Sequence, residues 1–212
     1  MKLKEIKIPK PVLIILAFAT ILNLLRVYLF GTTSFLYLFW NIFLAFVPFF
    51  ISSVLLVKTT KQNILRPLFI VSFVLWLLFF PNAPYVITDF IHLGRIHGVP
   101  VMFDIFVIFS SAIGSLLLGL YSLEHIEKVL SLRFSKKVTD TIIIISIFFA
   151  SFGMYLGRYL RFNSWDFFIS HKFLLSSIWS AFASPNSINV YTYTILFFFF
   201  IYISYLSFKS NK

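Results

Sequence analysis

Residues 76–93 read Trp76-Leu-Leu-Phe-Phe-Pro-Asn-Ala-Pro-Tyr-Val-Ile-Thr-Asp-Phe-Ile-His-Leu93, an apolar run that breaks at Pro-Asn-Ala-Pro and resumes carrying Tyr85, Thr88, Asp89 and His92. The run opens at Pro67, a favoured first-turn position of a helix. Only the fourteen residues 67–80 precede the break, about 21 Å of helix, too short to cross a hydrocarbon layer of roughly 30 Å. The break at 81–84 is therefore expected inside the membrane, with a second helical piece continuing over residues 85–93. A break at that depth leaves backbone carbonyls and N–H groups that lipid cannot satisfy, so protein or trapped water must. Asn82 is expected to cap the second piece, while Pro84 fits its first turn and pushes Ala83 toward an extended conformation. At i, i+4, i+7 spacing, Tyr85, Asp89 and His92 share one face of an α-helix, and Val86, Phe90 and Leu93 share another.

Working outward, the rest of the chain is as apolar as this stretch. Hydrophobic residues make up 60% and charged residues 12% of 212 residues, and the mean hydropathy is +0.96. A soluble domain of this size cannot bury so much apolar surface, so lipid must be the solvent. The expected fold class is all-α, a polytopic transmembrane helix bundle of about six spans in a single integral membrane domain, residues 1–212. The spans fall at about 11–30, 34–57, 67–93 with its break, 100–123, 141–160 and 188–208. Residues 164–183, interrupted by serines, His171 and Lys172, read as one interfacial or re-entrant helix. Ala17-Phe-Ala19 resembles a leader cleavage site but lies inside an apolar run that continues past it, so the first run is read as a span. There are no cysteines, which excludes disulfides and thiolate metal sites.

The net charge of +11 is topology information. Thirteen Lys and Arg residues fall in segments 1–10, 58–66, 128–137 and 209–212, against Arg95, Arg158, Arg161 and Lys172 on the other side. The positive-inside rule then puts both termini in the cytoplasm. The basic loops are cytoplasmic anchors to anionic headgroups, so no nucleic-acid partner is expected, and the lipid bilayer is the expected one. Arg26, in the distal third of its span, is expected to snorkel to the interface. Ser111, Ser115 and Gly119 make a small-residue face, expected to meet Ala150, Gly153 and Gly157 of the fifth span.

The stretch 76–85, with Thr88-Asp89 and His92, and the later block Gly157-Arg-Tyr-Leu-Arg-Phe-Asn-Ser-Trp-Asp166 resemble a domain-of-unknown-function family of bacterial multi-pass membrane proteins. Asn41 with Leu44-Ala45 and Pro48 resembles a third block of it. The resemblance implies a polytopic protein of the bacterial cytoplasmic membrane and carries no assigned activity or catalytic residue.

Chemistry must therefore come from residue types. Tyr85, Thr88, Asp89, His92, Asp104, Arg158, Arg161, Asn163, Trp165 and Asp166 are all expected toward the extracytoplasmic end. Asp89 and His92 are the candidate acid-base pair or metal ligands, with Asp104, Asp166 or His171 to complete a metal site. Arg158 and Arg161, one turn apart, form a candidate clamp for phosphate or carboxylate. Asn82, Tyr85, Thr88, Asp104, Asn163, Trp165 and Asp166 would support them in one pocket for an anionic lipid or lipid-linked substrate. The plainer alternative is an inter-helix salt bridge of Asp89 or Asp104 with Arg158 or Arg161. A small transporter using the broken third span, and a membrane scaffold or assembly factor, are the other function classes. No cofactor or oligomeric state follows from these residues, and His125 is read as part of a cytoplasmic loop.

Overall fold

With lipid as solvent, a chain this apolar satisfies its backbone by coiling on itself. In the computed structural model, which describes residues 7–94, 98–183 and 187–210, helices predominate and no strand occurs among the described residues. Six helical segments are long and apolar enough to cross a membrane: Lys10–Phe30, Tyr37–Lys58, Pro67–His92, Val101–Leu130, Lys136–Tyr159 and Ile188–Ser210. The expected all-α, multi-pass membrane architecture is thus the one observed. Lys2, Lys4, Arg95, His97, Pro185, Asn186 and Lys212 lie outside the described residues. The chain divides into two compact units, Met1–Arg133 and Phe134–Lys212.

The first unit contains α1 (Lys10–Phe30), α2 (Tyr37–Lys58), α3 (Pro67–Phe79), α4 (Asn82–Tyr85), a 3-10 segment (Val86–His92) and α5 (Val101–Leu130). α5 is its centre, and α1, α2, α4 and the 3-10 segment all pack on it. One core layer joins Phe35, Leu38 and Val86 to Val107, Ile108 and Ala112. The next joins Val12, Ala45, Phe49, Ala83 and Leu118. Gly119 makes the second layer possible, because a Cβ there would lie 2.9 Å from the Ala83 Cβ. Within this unit, then, the small-residue face of α5 receives the bend of the third span. At the same level Trp76 Nε1 donates to Ser122 Oγ (2.7 Å), which donates to the carbonyl of Pro48 (3.0 Å). This ties the bend and the proline of α2 to α5.

The interruption of the third span is a bend with helical geometry on both sides. Phe80 and Pro81 stay right-handed and Ala83 lies inside α4, so Pro84 does not force Ala83 into an extended conformation. Asn82 lies inside α4, not at its N-cap, and its Nδ2 donates back to the Phe79 carbonyl at 2.8 Å. That supplies a partner to a carbonyl at the bend whose own i+4 donor, the Ala83 N–H, bonds to Phe80 instead. Beyond Tyr85 the chain tightens to three residues per turn, and the face changes accordingly. Val86 and Asp89 are buried and His92 follows on the same side, whereas Tyr85 belongs to a different one.

α5 has 30 residues, about 45 Å of helix, and outruns a hydrocarbon layer of roughly 30 Å. The region expected to be a loop from residue 124 is therefore helical through Leu130. Glu124 and Lys128, at i, i+4 and 2.7 Å apart, help the extension.

The second unit contains α6 (Lys136–Tyr159), α7 (Asp166–Ile169), α8 (His171–Ala183) and α9 (Ser187–Ser210). α6 packs along α9 through Phe148 on Phe198 and Tyr159 on Tyr193. α8 joins them through Phe182, which meets Phe152 of α6 and Tyr191 of α9. α8 has 13 residues, about 20 Å, which does not span a bilayer. Its outward face carries Leu175 and Trp179, the latter 76% exposed, and suits an interfacial helix.

Candidate functional site

In the first unit, the end formed by the last turns of α1, the start of α2, the 3-10 segment and the start of α5 holds most of the buried polar side chains that sequence singled out. Asp104, in the first turn of α5, accepts from Arg26 Nε at 2.7 Å, and the two side chains are 1% and 0% exposed. Arg26 does not snorkel. It donates also to Thr32 Oγ1 at 3.0 Å, and its guanidinium lies 4.1 Å from the centre of the Phe35 ring. Asn23, one turn back on α1, donates to the Phe35 carbonyl at 2.9 Å. The loop 31–36 is thus strapped to α1 from the inside.

Asp89 is 2% exposed and accepts from Asn41 Nδ2 at 2.8 Å. His92 meets the Tyr37 ring edge-on at 5.8 Å. Thr88 Oγ1 donates to the Tyr85 carbonyl at 2.7 Å. Asn41, read in the sequence only as part of a resemblance block, is therefore a side chain that holds the buried acid. Among the described residues, no three His, Cys, Asp or Glu side chains come together as a metal site would require.

The opposite end of this unit carries a feature that sequence reasoning missed. His125 Nδ1 lies 3.3 Å from both Ser52 Oγ and Ser53 Oγ, and its ring packs on Phe49 at 5.4 Å. Both seryl hydroxyls also donate to the Phe49 carbonyl. The available signal was helical spacing: His125 lies three residues after Ser122 and continues its face.

In the second unit, Arg158 is half-buried in the last turn of α6. Arg161 lies just past its end, exposed, with φ 59. That left-handed conformation folds the chain back so that the Phe162 N–H donates to the Leu156 carbonyl at 3.2 Å. Glycine is the usual residue for such a helix ending, and any other residue is strained there by roughly 1–2 kcal/mol. Asp166 Oδ2 accepts from the Asn163 N–H at 2.7 Å, closing the turn that precedes α7. Trp165 precedes α7 and is half-buried.

A cavity of about 510 Å³ opens among α6, α8 and α9. Tyr155, Tyr159 and Phe173 supply its aromatic wall, and Ser176, Ser177 and Ser180 its hydroxyl wall. Leu160, Ala181 and Asn189 complete the lining, which among the described residues includes no charged side chain. Tyr155, Tyr159 and Tyr193 form a continuous ring stack, with centroids 5.2 and 4.4 Å apart.

Residues 40–204 match the family described as a protein of unknown function, DUF1361. The chain belongs to that family. The match takes in Asn41, the bend, both arginines and every residue that lines the cavity, so the DUF1361 region contains all of these features except Asn23, Arg26 and the loop they strap. No curated protein and no solved structure matches the chain.

Proposed function

We propose that this DUF1361 protein binds an anionic lipid or lipid-linked substrate at the extracytoplasmic face of the bacterial cytoplasmic membrane. The observation that carries the reading is the cavity at the C-terminal end of α6, where the last turn bears Arg158 and the strained, exposed Arg161 follows just past it. The cavity is large enough for a headgroup or a length of chain. Arginine is the residue type for bidentate capture of phosphate or carboxylate near lipid. A position where glycine would relieve strain, occupied instead by an exposed cation, favours a role for its side chain. The first unit serves as the scaffold, since Asp89 and Asp104 are engaged inside it.

Arg161→Gly separates binding from stability. Loss of the strained side chain should leave the melting temperature in detergent unchanged or raise it, and should weaken binding of a polyisoprenyl phosphate at least tenfold by the loss of a charge-assisted contact of roughly 1.5–3 kcal/mol. Unchanged binding by Arg161→Gly and by Arg158→Gln would overturn the reading.

A further inference from the structure

The cavity of the second unit has a composition that an acyl chain does not need. α8 sets Ser176, Ser177 and Ser180 along it, Ser177 half-buried and the other two on the open side, while Leu175 and Trp179, at 64% and 76% exposure, do not line it. A helix beside lipid that sets its hydroxyls on a cavity and its apolar side outward has the polarity of a wall around a polar guest. The facing wall is Tyr155 and Tyr159, stacked at an interplanar angle of 24° and backed by Tyr193, which stacks on Tyr159 at 28°.

An anion has no charged partner within such a lining. A hydrocarbon guest would leave the serine hydroxyls without partners other than helix carbonyls; Ser176 and Ser180 already donate to Phe173 O and Ser176 O, which leaves their lone pairs to accept. A hexose fits this lining: its C–H face packs on the exposed Phe173 ring, which lies outside the tyrosine stack, and its hydroxyls donate to seryl oxygens and exchange bonds with Asn189. A volume of about 510 Å³ accommodates one or two sugar rings.

We propose that the cavity binds the neutral sugar of a lipid-linked sugar phosphate. The sugar occupies the space between the Tyr155–Tyr159 wall and the serine face of α8, and the phosphate lies at the end of α6. This rests on the reading of Arg158 and Arg161 as anion holders, but its own evidence is the uncharged, hydroxyl-lined cavity.

The full chain in lipid nanodiscs is titrated with three probes: a polyisoprenyl phosphate, the same lipid bearing one phosphate-linked hexose, and a neutral hexosyl diacylglycerol. The hexose-bearing phosphate should bind at least tenfold more tightly than the bare phosphate. Phe173→Leu, at an exposed position, should remove about two- to tenfold of that preference, the loss of one aromatic contact. Ser177→Ala, a change at a partly exposed helix position that does not threaten folding, should narrow the same preference. Equal binding of the two phosphates, or a preference insensitive to both substitutions, overturns the sugar site and leaves the anion reading standing. Neutral hexosyl lipid binding as tightly as the phosphate-linked one supports the sugar site and overturns the anion reading. Binding of none of the three overturns both.

Discussion

Arg26 and Asp104 offer the most direct test of how the first unit is held together. Their side chains are 0% and 1% exposed and 2.7 Å apart, and they join α1 to α5. Removing one member of a buried pair costs about 3–5 kcal/mol, because the survivor keeps its desolvation penalty without its compensation. The two removals are not equivalent. Asp104→Ala strands a guanidinium that stays charged at any accessible pH, with only Thr32 and the Phe35 ring as partners. Arg26→Met strands a carboxyl, a smaller polar group than the five-donor guanidinium, so its cost should fall at the lower end of that range. The double variant Arg26→Met, Asp104→Leu removes both charges at similar volume and should recover most of the loss, since buried pairs replaced by apolar groups are often neutral. Reversible unfolding in mixed micelles, read as a double-mutant cycle, gives the coupling directly. Additive losses in the double variant, or an Asp104→Ala cost under about 1 kcal/mol, would refute the pairing argument.

Three further outcomes follow from the same structure. Gly119→Ala places a Cβ 2.9 Å from that of Ala83; it should cost about 1–3 kcal/mol by overpacking, and Ala83→Gly should restore most of it, with persistent loss counting against close approach at the bend. Asn41→Leu withdraws a 2.8 Å donor from buried Asp89 and should destabilise by about 1–3 kcal/mol, more than Asp89→Asn, and thermal unfolding in detergent ranks the two. Reporter fusions at the C-terminus and in the loop after Gly94 should give cytoplasmic and external signals respectively, and an external C-terminus would overturn the orientation drawn from thirteen basic residues on one side against four on the other.

The six spans and the bend were legible because they depend on quantities local to the chain: run length, proline placement and the cost of unsatisfied backbone in lipid. Long-range pairing was not. Arg26 and Asp104 are 78 positions apart, and which basic residue meets which acid depends on helix register that composition does not encode. The misread face of residues 85–92 has a single cause, the shift from 3.6 to three residues per turn after Tyr85, which brings Asp89 under Val86 rather than Tyr85. His125 was hidden because charged residues after 124 read as a loop, although Glu124 and Lys128 at i, i+4 also favour helix. The cavity was hardest to see, because tyrosines and serines are inconspicuous in a chain with 30 phenylalanines and 10 tyrosines.

The burial of the acids bears on what kind of site this protein can have. A general base must come within about 2.6–3.2 Å of the proton it takes, or reach it through one water. Asp89 meets Asn41 instead, at 2% exposure, one 3-10 turn after Val86, which is fixed in the core with Phe35, Leu38, Val107 and Ile108. Exposing its carboxylate would break a buried hydrogen bond and withdraw Val86 from that layer, a combined cost of several kcal/mol on the order of one hydrogen bond plus one fully buried side chain. Asp104 is more firmly held, by an ion pair. The acids that make residues 76–104 look catalytic in the sequence are thus the ones whose use as catalysts would cost most. Arg161 stands in the opposite position: it is exposed, it caps no charge within the α6 turn it terminates, and its backbone is strained where glycine would not be. Recognition of an anion by a side chain already in that state requires no unpacking, which is the energetic ground for proposing binding at the second unit.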